Sequence, residues 1–560
     1  MGGDPARGRL GKAGAAFSSN ARNPDLRRAQ LSFLGAWTAE WAFTVGLGIV
    51  AYRDGGAAAV GVVGLLRMVP SAVLAPLLSP LADKGRRERV LIAVSVLRAV
   101  ATGAAAVVVG VGGPTPVVYA LAALSTIAAT LYRPAHSALL PSLCHSGYEL
   151  ASANVVRGLL DSAATLVGPL LAAVLLEVAG VTVVFAVAAG ASLWAAVLLV
   201  RLRYEAPPRP VAPGEGALRA AAEGVRAVAR NGDVALIIGL AAAQALTRGA
   251  LTVLTVVVAI DLLGTGEPGA GVLTAAIGAG AVLGSLGASL LVDTKNLGSW
   301  FAVGVALWGV PVALVGVFPQ EVAAWVLLAA VGVGNALIDL SGFTLLARLA
   351  DDEVLARVFG VLESVVALFI GVGALVAAQL VEHAGIRPAL VMVGLVCPVG
   401  ATVALRRLRR MDRSVDVRDH DIALLRSVSM LTPLPLPALE RLARGLESVD
   451  VPAGATVFEQ GDVGDCYFVI GSGRAVVVGD GREVATLGPG DSFGEIALLR
   501  RTRRTAAVRA VDDLRLHALR SDQFLPAVLG FTPSAREAGA VVDTMLDRFT
   551  PRSRDGEGRT

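Results

Sequence analysis

The chain has 560 residues, of which 55% are hydrophobic and only 17% charged, with a mean hydropathy of +0.67. So apolar a composition excludes an ordinary soluble enzyme. Of the 94 Lys, Arg, Asp and Glu, 45 fall after residue 405, so a membrane-embedded part precedes a soluble tail. The net charge of +4 fits basic loops held on one membrane face better than a nucleic-acid partner. Cys144, Cys397 and Cys466 match no metal-ligand spacing and read as free thiols.

Residues 1–28, rich in Gly, Ala and Arg, lack the compact apolar core of a signal peptide and are expected to form a cytosolic tail. Twelve apolar runs follow, near 31–52, 57–81, 89–112, 115–139, 150–177, 180–202, 233–262, 268–292, 299–318, 321–349, 355–382 and 386–405. Each is long enough to cross a bilayer as a helix. The polar interruption 203–232 separates a six-helix half, 29–202, from a second, 233–405. It carries Pro207, Pro208, Pro210 and Pro213, then an Arg-bearing segment expected to lie along the membrane surface. One set of loops holds Lys84, Arg86, Arg87, Arg89, Arg133, Arg219, Arg226, Arg230, Lys295, Arg348 and Arg357. The opposite set holds Arg53 and Arg387 among acids. The basic set marks the cytoplasmic face, which predicts a multi-pass plasma-membrane protein with both termini in the cytoplasm.

Ser79-Pro-Leu-Ala-Asp83, at the end of the second run, is echoed by Ser289-Leu-Leu-Val-Asp293 at the end of the eighth, as expected of two related halves. The stretch Ser79-Pro-Leu-Ala-Asp83-Lys84-Gly85-Arg86-Arg87 resembles the loop signature of the major facilitator superfamily over roughly residues 28–405. Ser79 replaces the usual first glycine, and one residue is missing between Lys84 and Gly85. The resemblance implies that Asp83 and Arg87 make gating contacts at helix ends. Gly168-Pro169 is similar to that family's antiporter motif, with Ala164, Ala172 and Ala173 where glycines are usual. Tyr132-Arg-Pro-Ala-His-Ser-Ala-Leu-Leu-Pro141 resembles the drug and siderophore exporter branch.

Ionisable residues at membrane depth are costly and usually face a cavity or a partner. Glu40, Arg67, Arg98, Asp161, Arg248, Asp339 and Glu363 are the candidates. Either a carboxylate among them alternately binds a proton and a substrate, with Glu40 foremost, or they form static ion pairs. Gly278-Ala-Gly280-Ala-Val-Leu-Gly284 lacks the spacing of a dinucleotide fingerprint and reads as close helix packing.

After a basic linker, 406–420, the pattern becomes that of a small α+β domain, 421–549, with 550–560 a disordered tail. A helix is expected over Leu431–Leu446, and strands over Thr456–Glu459, Tyr467–Ile470, Arg474–Val478, Glu483–Leu487, Ala506–Ala510 and Leu514–Ala518. Helices over Ser521–Leu529 and Ser534–Arg548 close this β-roll. Phe493-Gly494-Glu495-Ile496-Ala497, followed by Arg504-Thr505-Ala506, supplies an anion cradle: a glycine turn, a short helix start and a guanidinium. Glu495 would repel a phosphate and suits sugar hydroxyls, so the set fits a ribose-phosphate. It resembles the phosphate-binding cassette of the cyclic-nucleotide-binding domain family, over about 420–549. That resemblance implies that Gly494, Glu495, Ile496 and Ala497 line the ribose and phosphate, Arg504 pairs with the cyclic phosphate, and Thr505 touches phosphate or purine. It leaves cAMP and cGMP both open as the ligand. It also implies, by analogy, a homodimer through the last helix.

The predicted fold is thus an α-helical polytopic membrane protein of twelve helices in two halves, followed by a small α+β soluble domain. The expected function is a cyclic-nucleotide-regulated secondary transporter, an exporter of a small molecule, with no metal and no catalytic residues. The alternative is a transporter whose tail has lost its ligand and serves as a docking or oligomerisation module. A gated channel would need a carbonyl-lined filter loop, and a transcription regulator a recognition helix after the sensor. Neither is visible. Nor is a nucleophile elbow, HExxH or phosphate loop that would mark an enzyme.

Overall fold

The computed structural model describes residues 22–84, 86–144, 147–202, 217–291, 296–350, 354–434 and 436–549. The chain forms two compact units, Met1–Arg409 and Arg410–Thr560.

The described part of the first unit is helical. Helix α1 (Pro24–Lys84) has 61 residues and would be on the order of 90 Å long if straight, about three bilayer cores. Gly55 and Gly56 break it, the latter at φ +61°, so α1 is two crossings in one run. There follow α2 (Arg87–Gly110), α3 (Thr115–Ala129), α4 (Tyr132–Leu143), α5 (Gly147–Val178) and α6 (Val181–Val200). The amphipathic segment expected between the halves is α7 (Ala217–Arg230). The second half comprises α8 (Gly232–Val257), a π-helical turn (Val258–Leu262), α9 (Gly266–Leu291), α10 (Leu297–Val317), α11 (Glu321–Leu349), α12 (Leu355–Ala384) and α13 (Ile386–Ser427). Among the described residues, eleven helical stretches are long and apolar enough to cross a membrane; splitting the first at its kink accounts for the twelve predicted crossings.

Two segments depart from the expectation. The run 115–139 is interrupted at Thr130–Leu131, because Pro134 lacks an N–H and its ring would collide with the Thr130 carbonyl in an unbroken helix. The segment expected as a linker, 406–420, is helical and continues α13 to Ser427. No Gly or Pro occurs between Gly400 and Pro433, and Arg, Leu, Ala and Met sustain a helix there. The Gly-rich run in α9 packs as anticipated: a Cβ at Gly278 would collide with the Leu166 backbone of α5, and one at Gly280 with Ala329 of α11.

The second unit holds α14 (Leu436–Arg444), then β1 (Glu447–Val451), β2 (Thr456–Phe458), β3 (Cys466–Ser472), β4 (Ala475–Gly479), β5 (Arg482–Leu487), β6 (Ser492–Phe493), the short α15 (Glu495–Arg500), β7 (Ala507–Ala510), β8 (Leu514–Arg520), α16 (Ser521–Leu529) and α17 (Thr532–Phe549). Two four-stranded sheets, ordered β1-β8-β3-β6 and β2-β7-β4-β5, make the roll. Ile470, Phe493, Val508 and Leu516 fill its interior. Leu439, Leu442, Tyr467, Phe524 and Val528 form a second cluster beneath the helices. Strands β1 and β6 were not expected: β1, Glu-Ser-Val-Asp-Val, is almost wholly exposed, and β6 has two residues.

Candidate functional site

In the second unit the chain leaves β6, pairing Phe468 with Phe493 and Val469 with Ser492, and turns at Gly494 into α15. Gly494 sits at φ +96°, a conformation costly for any residue with a Cβ. That turn buries Glu495, Ile496, Ala497 and Leu498, while Arg501, itself left-handed, ends the helix. The loop returns Arg504 beneath the turn. Its backbone N–H donates to the Asp462 carbonyl (2.9 Å) and its own carbonyl accepts from Gly461 (2.9 Å). Its guanidinium donates to the carbonyls of Gly494 (3.0 Å) and Cys466 (2.8 Å). It also lies 4.1 Å from the centre of the Phe458 ring and 5.9 Å from that of Phe468. A Cβ on Gly494 would come within 2.7 Å of that guanidinium, and one on Gly464 within 3.2 Å, so both glycines make its room.

Glu495 is 2% exposed, and its Oε2 is buried without a hydrogen-bond partner. Burial pushes its carboxyl up to about 7, against the opposing pull of its own backbone N–H and of Arg504. Burial lowers the Arg504 guanidinium from its usual range, with Asp465, Cys466, Glu495 and Asp462 opposing. A half-satisfied buried acid beside a fixed cation can accept hydroxyl donors on one side and face an anion on the other. Thr505 is half-buried and Ala506 buried, leading into β7. The structure thus gathers Phe493, Gly494, Glu495, Ile496, Ala497 and Arg504 around one turn, with Thr505 and Ala506 next in the chain. The sequence reading missed the aromatic floor of Phe458 and Phe468; a Phe at alternate positions of two β-rich runs was its only signal.

In the first unit the polar candidates separate into two groups. Glu40 is gripped by Arg67 (2.8 Å) and Arg98 (2.6 Å), all three nearly buried. Arg67 also donates to Thr126 (2.9 Å) and Thr44 (3.3 Å). This knot joins α1, α2 and α3. The second group gathers side chains from both halves: Arg133 of α4, Asp161 of α5, Arg248 of α8, Asp339 of α11 and Glu363 of α12 feel one another electrostatically. Arg133 pairs with Asp161 (3.1 Å) and lies 4.6 Å from the Trp37 ring, just beyond the break between α3 and α4. Arg248 lies 5.8 Å from the Trp41 ring. Asp339 accepts from Asn335 one turn earlier (2.9 Å).

Just before the kink of α1, Arg53 forms a two-toothed pair with Glu267 (2.5 and 2.6 Å), and Tyr52 hydrogen-bonds Asp261, tying the two halves together. Of the loop residues, Arg87 donates to the Ala138 carbonyl (2.5 Å) and to Ser142 (3.3 Å) near the end of α4. The Asp83 side chain, and Asp293 of the repeat, lie outside the described residues. Gly168 takes α5 so close to α1 that a Cβ would stand 2.6 Å from that of Trp41.

Residues 31–338 and 240–440 match the Major Facilitator Superfamily model, and 448–529 match that of the cyclic nucleotide-binding domain. The first pair spans well over half the chain: this protein belongs to the Major Facilitator Superfamily, is a multi-pass membrane protein, and carries a cyclic nucleotide-binding domain. That domain is similar to part of a cAMP-dependent protein kinase regulatory subunit from Schizosaccharomyces pombe, with 36% identity over 135 residues, 24% of this chain and 30% of that one. It is also similar to an uncharacterized ABC transporter ATP-binding protein of Mycobacterium bovis, with 39% identity over 114 residues, 20% and 34% of the two chains. The chain therefore spans about a third or less of the length of these relatives. Among solved structures, the regulatory domain of Toxoplasma gondii PKA with cAMP aligns at 26% identity and a TM-score of 0.21, covering 25% of this chain and 52% of the other.

Proposed function

We propose that the chain is a secondary active transporter of the plasma membrane, exporting a small molecule, with both termini in the cytoplasm and cAMP or cGMP binding to the second unit as its regulator. Glu495 carries the nucleotide reading: a buried acid with one oxygen unpartnered, in a glycine turn against Arg504, is the complement of ribose hydroxyls beside a cyclic phosphate. The likeness to a cAMP-dependent kinase regulatory subunit at 36% identity supports the same ligand class. Regulation requires that nucleotide bind the two access states unequally.

Calorimetric titration of cAMP and of cGMP into the purified protein, beside Arg504→Ala, tests binding. Proteoliposome flux at zero and saturating nucleotide tests coupling. Binding that the variant loses, together with altered flux, is the expected result; unchanged flux would leave the nucleotide without a regulatory role. The alternative, a domain that now only docks or oligomerises, draws on Arg504 being bonded to two backbone carbonyls already. Absence of binding by either nucleotide would favour it.

A further inference from the structure

The charged side chains that α4, α5, α8, α11 and α12 bring together in the first unit have a bipolar layout that names a class of cargo. Arg248 stands over Trp41, and among the described residues its guanidinium has no ion-pair partner. On α11, Asp339 is bonded only to Asn335 of its own helix among the described residues, and on α12 Glu363 has neither hydrogen bond nor ion pair among them. Asp339 and Glu363 are exposed in the isolated chain. Each also feels Arg133 of the first half and Arg248 of the second. Exposure together with nearness to charges from both halves fits a water-filled space between the halves better than lipid, where an unpaired carboxylate is expensive.

Arg133 and Asp161 already neutralise each other. Of the charges left without an ion pair among the described residues, Arg157 of α5 is tied to Ser137 (2.9 Å), Arg248 is backed by an aromatic face, and Asp339 and Glu363 are carboxylates on successive helices. One turn beyond Asp339, Phe343 is 45% exposed and stacked 5.6 Å from Phe359, adding an apolar surface on the acidic side. A cargo with only a positive charge would leave Arg248 unpaired, and one with only a negative charge would leave two carboxylates facing one another.

We infer that this cluster binds a zwitterion with an apolar body, its anionic group on Arg248 and its cationic group on Asp339 and Glu363. The inference rests on the proposed transport function and deepens it.

The test uses the full-length protein in nanodiscs and two matched sets of probes. These are phenylalanine and leucyl-phenylalanine, each with its C-terminal amide, which lacks the negative charge, and its N-acetyl form, which lacks the positive one. Binding is read by calorimetry and by thermal shift. Each zwitterion is expected to bind about ten-fold or more tightly than either singly charged form. Arg248→Gln should bring zwitterion and amide level, whereas Arg248→Lys should keep the preference. Asp339→Asn with Glu363→Gln should bring zwitterion and N-acetyl form level. The ratio within each variant is the readout, so a variant that binds nothing is set aside in favour of the lysine form.

Equal or tighter binding of the amides would overturn the inference in favour of an organic-cation site. Equal binding of the N-acetyl forms would make it an anion site. Failure of both zwitterions to bind the wild-type protein would also overturn it. Proteoliposome flux of the same probes separates the two claims. Zwitterion binding without flux would sink transport and leave the site standing, while flux of the amides alone would sink the site and leave transport standing.

Discussion

The two units bury charge in opposite ways. In the bundle, Glu40 is answered by Arg67 on one oxygen and Arg98 on the other, and Arg67 in turn by Thr126 and Thr44, so both carboxylate oxygens are bonded. In the β-roll, Glu495 is buried more deeply than Glu40, yet one of its oxygens has no partner, and Arg504 is held by carbonyls and aromatic rings rather than by an acid. Inside a bilayer no water stands by to rescue an unpaired group, so a structural charge must be answered within the protein. In a domain surrounded by water, a partly satisfied acid can be kept for a ligand to complete. The paired charge suits architecture, and the half-paired one leaves an acceptor open for recognition. Arg248, Asp339 and Glu363 belong to the bundle yet, like Glu495, are left incompletely answered among the described residues.

The largest expected effect strikes the knot. Glu40→Gln leaves two buried guanidiniums facing each other and should cost about 3–5 kcal/mol, read as a lowered unfolding temperature of the full-length protein in detergent. A variant as stable as the wild type would erase the contrast between the units. Arg504→Ala should then remove about 2–4 kcal/mol of nucleotide affinity, roughly one and a half to three decades by calorimetry, with little change in the melting of the bundle.

The third prediction uses pH. Glu495 has a folded value raised to about 7 from its ordinary 4.5, so the folded domain holds a proton that the unfolded chain gives up earlier. The stability this lends is full below about 4.5, declines as pH climbs towards 7 and is gone above, an effect of at most about 3 kcal/mol. Urea melts of residues 410–560 between pH 5 and 8 should show that decline, and Glu495→Gln should flatten it. Gly494→Ala should cost about 1–3 kcal/mol, from its φ of +96° and the crowding of Arg504, measured in the same melts. Smallest of all, Arg500→Ala removes an exposed pair with Asp543 (2.5 Å) and should change stability by less than about 1 kcal/mol.

Much of the candidate site was legible because its residues are contiguous: Phe493 to Ala497 and Arg504 to Ala506 occupy one turn and the loop after it. The floor of Phe458 and Phe468 was not, since those rings reach Arg504 from other strands, and nothing in their local pattern names that partner. Strand β1 went unseen because its residues are mostly exposed and show no apolar alternation. The break in the fourth crossing was readable in principle from Pro134, yet the hydropathy of 115–139 masks it, since apolar residues continue on both sides. The helical linker was lost for a different reason: its charged residues look like a loop by hydropathy and like a helix by propensity, and here propensity prevailed.

The sequence by itself determined that this chain crosses a membrane many times and carries a β-rich domain with a glycine turn followed by an acid and, in the next loop, an arginine. Span length, charge distribution and a contiguous motif are one-dimensional properties, and each is read along the chain without knowing what touches what. Only the tertiary structure decided which charges are sealed and which are free. Glu40 meets Arg98 from 58 residues away, whereas Arg248, Asp339 and Glu363 gather from three helices and find no ion-pair partner among the described residues. Pairing energy depends on distance and local water, and neither is written in the order of residues.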